Sequence, residues 1–160
     1  MRLVLQRVAR ASVEVAGERV AAIGRGLLVL AGIAPGDGEA QVAAAAAKVA
    51  ALRLFEDPLG KMNLALGEIG GGVLLVSQFT LLASTGRGRR PSFTGAAPPE
   101  IAAPLVERLA ERLGELGVPV ERGRFGVAMT VELVNDGPVT LVLDFPPGDL
   151  PVEGDGAARR

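Results

Sequence analysis

Asn135-Asp136-Gly137-Pro138-Val139-Thr140 lies between two apolar runs, Val127–Val134 and Val139–Phe145. Both runs are rich in Val and Leu and read as strands. Gly137 can take backbone angles closed to other residues. Pro138 has no N–H to give to a ladder, and an X-Pro bond is the one kind that turns cis at modest cost. On the dipeptide alone, the favoured reading is a hairpin turn between two strands. A second stretch, Ser77-Gln78-Phe79-Thr80, closes another apolar strand, Val73–Val76. Small polar groups at the end of a buried strand are a frequent place for site chemistry.

The segments before these stretches alternate between strand and helix patterns. Met1–Ala9 reads as a strand, with Leu3 and Leu5 on one face and Val4 and Val8 on the other. Ser12–Val15 reads as a second strand, Gly17-Glu18 as a hairpin turn and Arg19–Ile23 as its return. Leu27–Ile33 is a continuous apolar run and predicts a central strand buried on both faces. Glu39–Leu54 predicts an Ala-rich helix with Asp37 or Gly38 near its N-cap and a stripe of Val42, Ala45, Ala46, Val49 and Leu52. Lys61–Leu66 is a short strand, and Gly70-Gly71-Gly72 turns into Val73–Thr80. Pro98-Pro99 opens a second helix. Its stripe of Ile101, Leu105, Leu109, Leu113 and Leu116 is expected in the core, and Gly117 with Pro119 marks its end. The order is strands, helix, strands, helix, strands, with hairpin links early on. It predicts an α+β fold, a mixed or barrel-like sheet with two main helices packed on it. Residues 1–146 form a single domain in this reading, and 147–160, rich in Gly, Pro and charge, form a fraying tail.

Composition narrows the chemistry. The chain has 160 residues and is 49% hydrophobic, enough for a core built from Val, Leu, Ile and Ala. It contains no Cys, so there is no disulfide framework and no thiol nucleophile. It contains no His either. That removes the Ser-His-Asp triad, the usual general base near neutral pH and most zinc sites. No metal and no cofactor is expected. The net charge of −1 argues against a protein that coats DNA. The N-terminus lacks the apolar core of a signal peptide, and no apolar run is long enough to span a bilayer. Those features make the cytoplasm the expected location, with no membrane partner.

The remaining motifs are modest when taken singly. Gly24-Arg25-Gly26 and Gly70-Gly71-Gly72 fit neither a dinucleotide loop nor a P-loop, and read as turns. Glu56 and Asp57 share a turn, where solvated carboxylates are far commoner than metal ligands. Thr80 has no histidine to activate it. Arg87, Arg89 and Arg90 cluster in the non-periodic stretch Ala83–Gly95, either as a solvated loop or as a phosphate-binding patch.

Taken together, these stretches resemble the D-aminoacyl-tRNA deacylases, formerly D-tyrosyl-tRNA deacylases, along the chain up to about Phe145. The matching residues begin with Leu5-Gln6-Arg7-Val8, Ala11-Ser12-Val13, Gly26–Leu30 and Gly60-Lys61-Met62-Asn63-Leu64. They continue with Val76–Leu81, Arg90-Pro91-Ser92-Phe93, Gly123-Arg124-Phe125 with Met129, and Asn135–Thr140. The order and separation of Ser-Gln-Phe-Thr and Gly-Pro carry the specificity. The resemblance implies a homodimer with two active sites at the subunit interface. Each site would combine Ser77, Gln78, Phe79 and Thr80 of one chain with a cis Gly137-Pro138 of the other. That bond would act as a chirality filter, its backbone wall leaving no space for an L side chain while D-amino acids and glycine pass. The substrate would be tRNA charged at its acceptor end, with no DNA partner. Ala102 would close the pocket near the substrate's amino group, Phe125 and Met129 would line the pocket for the terminal adenine, and Arg87, Arg89 and Arg90 would meet tRNA phosphates. For Met129, core packing is an equally good reading. Ser84 stands where an Asp is common in the family.

Two mechanisms follow for the ester bond. In one, Thr80 is the nucleophile and needs a base that this chain does not offer nearby. In the other, which is preferred, the free hydroxyl beside the ester on the terminal adenosine assists. The protein then supplies positioning and backbone N–H groups around Phe79 and Thr80. The competing classes are a non-catalytic dimeric binder of RNA ends and a general small-ester hydrolase.

Overall fold

The computed structural model describes residues 1–86 and 88–148. Strand β1 (Arg2–Val15) is the spine of the fold. Its first half pairs antiparallel with β3 (Gly26–Gly32) and its second half with β2 (Glu18–Ile23). Along its other edge, nearly the whole of β1 pairs with β8 (Thr130–Asp144). β3 continues in parallel to β6 (Gly72–Ser77), and β6 to β7 (Val120–Arg122). The resulting six-stranded mixed sheet curls until β2 lies against β6 and β7, so it is nearly barrel-shaped. A separate small hairpin joins β4 (Phe55–Glu56) to β5 (Met62–Leu64).

Two helices cover one face, α1 (Glu39–Ala51) and α2 (Pro99–Glu115). The main core lies between them and the sheet, with Leu3, Leu5, Leu27, Val29, Leu75, Val49, Leu109 and Leu113 buried together. A second cluster of Val8, Val13, Leu28, Leu74 and Val76 fills the inside of the curl. The two clusters explain why β3 and β6 are apolar on both faces. These central strands also approach closely. A Cβ at Gly26 would lie 2.0 Å from the Gly72 carbonyl oxygen, so only glycine fits there.

The α+β expectation holds, with four corrections and one alternative resolved. Met1–Ala9 and Ser12–Val15 are one strand, whose register shifts near Arg7 against β8 and between Val13 and Glu14 against β2. Asn135–Thr140 is not a hairpin turn, because the runs on both sides of it pair with the same strand in the same direction, Val134 with Arg10 and Thr140 with Gln6. The intervening residues bulge out of one long strand. The strand expected over Val73–Thr80 stops at Ser77, and Phe79–Leu82 forms a turn of 3₁₀ helix. On α2 the buried residues are Ala102, Val106, Leu109, Ala110 and Leu113, whereas Ile101 and Leu116 are exposed. At the start of α1, Gly38 is the N-cap and its N–H donates to Gln41 Oε1 at 2.9 Å. Asp37 instead turns inward, where Oδ1 accepts from the Met1 ammonium at 2.6 Å and Oδ2 from the Ala34 N–H at 2.7 Å. Of the expected tail, only Pro147 and Gly148 fall within the described residues.

Several exposed charges on the helices form one network. Glu39 at the start of α1 receives Arg108 and Arg112 from α2, and Arg108 also binds Glu111 and Glu115. Hydrogen bonding from Arg112 holds the Glu39 carboxyl below its ordinary range. No helix among the described residues is long and apolar enough to cross a membrane.

Candidate active site

A cleft of about 370 Å³ opens where the C-terminal ends of β3 and β6 meet the start of α2. Its floor is apolar, formed by Ala31, Ile33, Ala97, Pro99, Ala102 and Val106. Its rim carries Ser77, Gln78, Phe79, Phe93 and Phe125. The placement follows from the fold. Where neighbouring strands run parallel, sites tend to form beyond their carboxyl ends, and β3 and β6 are parallel neighbours. β6 ends at Ser77 because the chain turns sharply at Gln78, whose N–H still donates to the Ala31 carbonyl at 2.8 Å.

The rim is built by two loops that meet. Phe79, 56% exposed, packs edge-on against Phe93, with ring centroids 5.1 Å apart. Phe93 is held there because Ser84 and Ser92 exchange backbone hydrogen bonds of 2.8 and 2.9 Å, closing the loop between them. Ala97 N–H donates to the Ile33 carbonyl at 2.8 Å and fixes the start of α2 to the end of β3. The N–H groups of Phe79 and Thr80 come first in the 3₁₀ turn, so neither has an acceptor within it. Gln78 Nε2 donates to Thr80 Oγ1.

Of the residues expected in the site, Ser77, Gln78, Phe79, Ala102 and Phe125 line one cleft. Thr80 is exposed beside it and bonded to Gln78, but is not part of its lining. Met129 packs on the second core cluster, close enough that a Cβ on Gly123 would lie 2.7 Å from its sulfur. Arg89 and Arg90 are exposed on the loop between Ser84 and Ser92, and Arg87 lies outside the described residues. Gly137 and Pro138 are not in the lining of the cleft. The bond between them is cis, and Gly137 has a φ of +131°.

What fixes that second segment is Arg7, which sequence reasoning left without a role. Its side chain is buried, with Nη1 donating to the Leu54 carbonyl at 2.7 Å and Nε to the Asp136 carbonyl at 3.0 Å. Glu56 and Asp136 carboxylates stand 3.7 and 3.4 Å from it. Asn135 completes the arrangement, its Oδ1 accepting from the Val139 N–H at 3.0 Å and its Nδ2 donating to Thr140 Oγ1 at 3.1 Å. A Cβ on Gly137 would meet Val139 Cγ2 at 2.8 Å and Arg7 Nη2 at 3.0 Å. The signal was present in the sequence. A strand's period of two puts Arg7 on the face of Leu3 and Leu5, where an arginine needs internal partners.

Glu56 and Asp57 direct their carboxylates at groups of the chain itself. Glu56 faces Arg7, while Asp57 caps its own turn, accepting from Leu59 N–H, Lys61 N–H and Asn63 Nδ2 at 2.8, 3.0 and 2.9 Å. Those bonds hold its carboxyl below the usual range, the backbone bond from Lys61 most of all. Among the described residues no group of His, Cys, Asp or Glu is placed to hold a metal ion.

Residues 4–144 match the family model described as D-Tyr-tRNA(Tyr) deacylase. The chain belongs to the D-Tyr-tRNA(Tyr) deacylase family. Among its relatives in that family, a D-aminoacyl-tRNA deacylase of Roseiflexus sp. (strain RS-1) is 60% identical over 144 residues, covering 90% of this chain and 93% of its own. One of Chlorobaculum parvum (strain DSM 263 / NCIMB 8327) is 55% identical over 147 residues, covering 91% and 99%. A solved structure described as a c-Myc DNA unwinding element binding protein superposes with a TM-score of 0.86 at 40% identity, covering 91% of this chain and 99% of that one. A structure described as a probable eukaryotic D-amino acid tRNA deacylase superposes at 0.77 over 90% and 98%, and at 19% identity it bears on the fold alone. The deacylase family therefore accounts for the curled sheet and both helices as one unit.

Proposed function

We propose that this chain is a D-aminoacyl-tRNA deacylase, a hydrolase that cleaves the ester between a D-amino acid and the terminal ribose of tRNA. Glycyl-tRNA is a further substrate, and the role is chirality proofreading in translation in the cytoplasm. The observation that carries the mechanism is the lining of the cleft. Its polar side chains are Ser77 and Gln78, with no carboxylate, lysine or arginine among them, and the chain has no histidine.

A cleft so lined supplies donors and shape rather than a base. Thr80 cannot pass its proton to the Gln78 amide N–H, which is itself a donor. We therefore assign attack to water oriented by the free ribose hydroxyl next to the ester. The N–H groups of Phe79 and Thr80 receive the developing oxyanion, a contribution worth ~100- to 1,000-fold per donor in comparable sites. Phe125 stacks on the terminal adenine, since every base presents a π-face. Ala102 bounds the end of the pocket that takes the amino group, and Met129 supports Gly123 beneath the Phe125 loop. Arg87, Arg89 and Arg90 meet backbone phosphates, Arg89 and Arg90 doing so from the loop beside Phe93.

The lining of the cleft in one chain includes neither Gly137 nor Pro138. Gly137-Pro138, fixed on Arg7 away from its own cleft, fits the role of a wall delivered by a second copy. The working enzyme is then a homodimer, and side chains of L configuration collide with that wall. Rejection by backbone sterics leaves the D side chain unread, so many D-amino acids pass.

Hydrolysis of one tRNA charged separately with D-tyrosine, L-tyrosine and glycine tests this reading. Loss of the D- and glycyl-esters alone supports it. Loss of the L-ester as well would keep an esterase and remove the filter. Loss of none would leave a binder of RNA ends. The name of the 40%-identical structure raises DNA as an alternative ligand; competition by duplex DNA against tRNA would reveal it, and none is expected.

A further inference from the structure

A second cavity, about 530 Å³, lies away from the cleft on the outer face of the three-stranded end of the sheet, β2-β1-β8. Neither helix covers it. Arg10 and Arg19 line it together with Ser12, Glu132 and Val134. Among the described residues, neither arginine enters any ion pair or side-chain hydrogen bond. Arg108 and Arg112 on α2, in contrast, are fully engaged with carboxylates. Glu132 shares the cavity and Glu14 stands opposite Arg19 in the β1–β2 ladder, and neither carboxylate comes within ion-pair distance of the two arginines.

The position of the cavity gives it a function. Arg10 pairs with Val134 across the β1–β8 ladder, three residues before Gly137. At ~3.3 Å per residue the cavity begins on the order of 10 Å from that segment along the same strand. If Gly137-Pro138 enters the cleft of a second copy, the Arg10–Arg19 cavity is carried to the mouth of that cleft. The acceptor strand then leaves the cleft past its rim, where Phe125 meets the terminal adenine.

We infer that Arg10 and Arg19 form a phosphate-binding subsite for the single-stranded 3′ end of the tRNA held in the partner's cleft. The inference rests on the deacylase reading and on the paired-copy site above. It adds a second task for the subunit that supplies the wall: that subunit also grips the backbone of the substrate it screens. A groove of free arginines tracking a backbone is the usual solution for unpaired nucleic acid. It also accounts for a tRNA partner in a chain whose net charge is −1, since the needed cations are local.

The test is binding of uncharged tRNA at several salt concentrations to the wild type and to the Arg10→Gln/Arg19→Gln double variant. Sedimentation velocity and KM for D-tyrosyl-tRNA are measured on both. The expected result is an affinity loss of about tenfold, a matching rise in KM, and a slope of log K against log salt shallower by ~1.4, about 0.7 for each phosphate that is no longer neutralised. Glu132→Gln is expected to tighten binding. Unchanged affinity and slope in the double variant would overturn the subsite, and so would dissociation of the dimer, which would assign the cavity to subunit contact. Absence of D-specific turnover by the wild type would instead sink the deacylase reading, and the binding slopes would still decide on the arginines.

Discussion

Replacing Arg7 by methionine removes the guanidinium and keeps most of the stem. Two carbonyls then lose their donor, that of Leu54, which is buried, and that of Asp136, which is partly buried. An unsatisfied buried acceptor costs ~1–3 kcal/mol. Glu56 and Asp136 carboxylates are about half exposed, so they return to water and add ~0–1 kcal/mol between them. The sum is about 2–4 kcal/mol, which for a chain of this size lowers the melting temperature by ~5–15 °C. Arg7→Lys restores one donor and should recover about half of that loss. The functional effect is expected to exceed the structural one. Measured at 25 °C, where the variant remains folded, kcat/KM for D-tyrosyl-tRNA should fall ~10- to 100-fold, because a shift near 1 Å in a positioning element carries that cost. Thermal denaturation followed by circular dichroism and steady-state deacylation are the two assays. A melting temperature within about 2 °C of wild type, the effect of one weak interaction, would refute the energetic argument. A lowered melting temperature with unchanged kcat/KM would refute the positioning argument and leave Arg7 as a structural tie.

Three further outcomes are expected. Thr80→Ala should keep kcat within about tenfold of wild type, since the hydroxyl is neither activated nor in the cleft. A loss of about 10⁴-fold or more with substrate binding intact, towards the ~10⁶-fold that follows removal of a true nucleophile, would restore Thr80 as the attacking group. Ala102→Leu places three extra carbons in the floor of the cleft and should raise KM for D-tyrosyl-tRNA ~5- to 100-fold, from an overpacking cost of ~1–3 kcal/mol; no change would move the substrate off that floor. Folded Asp57 and Asp144 titrate below the ordinary range, through the backbone bond from Lys61 and the hydrogen bond from Arg2 respectively. Groups depressed in this way stabilise the fold above their unfolded value, ~3.9, and lose that contribution as pH falls through the lower folded value. The melting temperature should therefore be level between about pH 5 and 8 and drop below about pH 4, and a rise on acidification would contradict the assignment.

The fold was legible where a local rule and the tertiary structure agree. Leu27–Ile33 reads as a doubly buried strand and is one, because its neighbours β1 and β6 cover both edges and the helices and the curl cover both faces. The stripe on α2 was misjudged because it followed the largest residues. The helix lies so close to the sheet that Ala102 and Ala110 face the core, and Ile101 and Leu116 are turned out. The Gly-Pro stretch misled for a different reason. Turn chemistry is a property of four residues, but whether a turn reverses the chain depends on the partner strand, and β1 is long enough to pair with both runs. The Ser77–Phe79 rim could be placed from the sequence, as could Ala102 and Phe125 through the family. Phe93 and the Ala96–Ala97 turn could not, because only the Ser84–Ser92 closure brings them across from β6.

These features also explain how a chain with so little catalytic side-chain chemistry can carry an enzyme's site. A cleft without histidine, cysteine, carboxylate or lysine relies on fixed backbone groups instead, and backbone is fixed only by what surrounds it. Here each critical stretch is tied at both flanks. Gln78 is anchored through its N–H to β3 before the 3₁₀ turn begins, and the turn's own closing bond runs from Ala83 N–H to the Thr80 carbonyl at 3.1 Å. The Gly137 stretch is held by Arg7 on one side and by Asn135 on the other. Both ties belong to β1 and its neighbours, the most interconnected strands in the sheet. A substitution that loosens β1 should therefore disturb the rim of the cleft and the Gly137 segment together, although neither lies on β1.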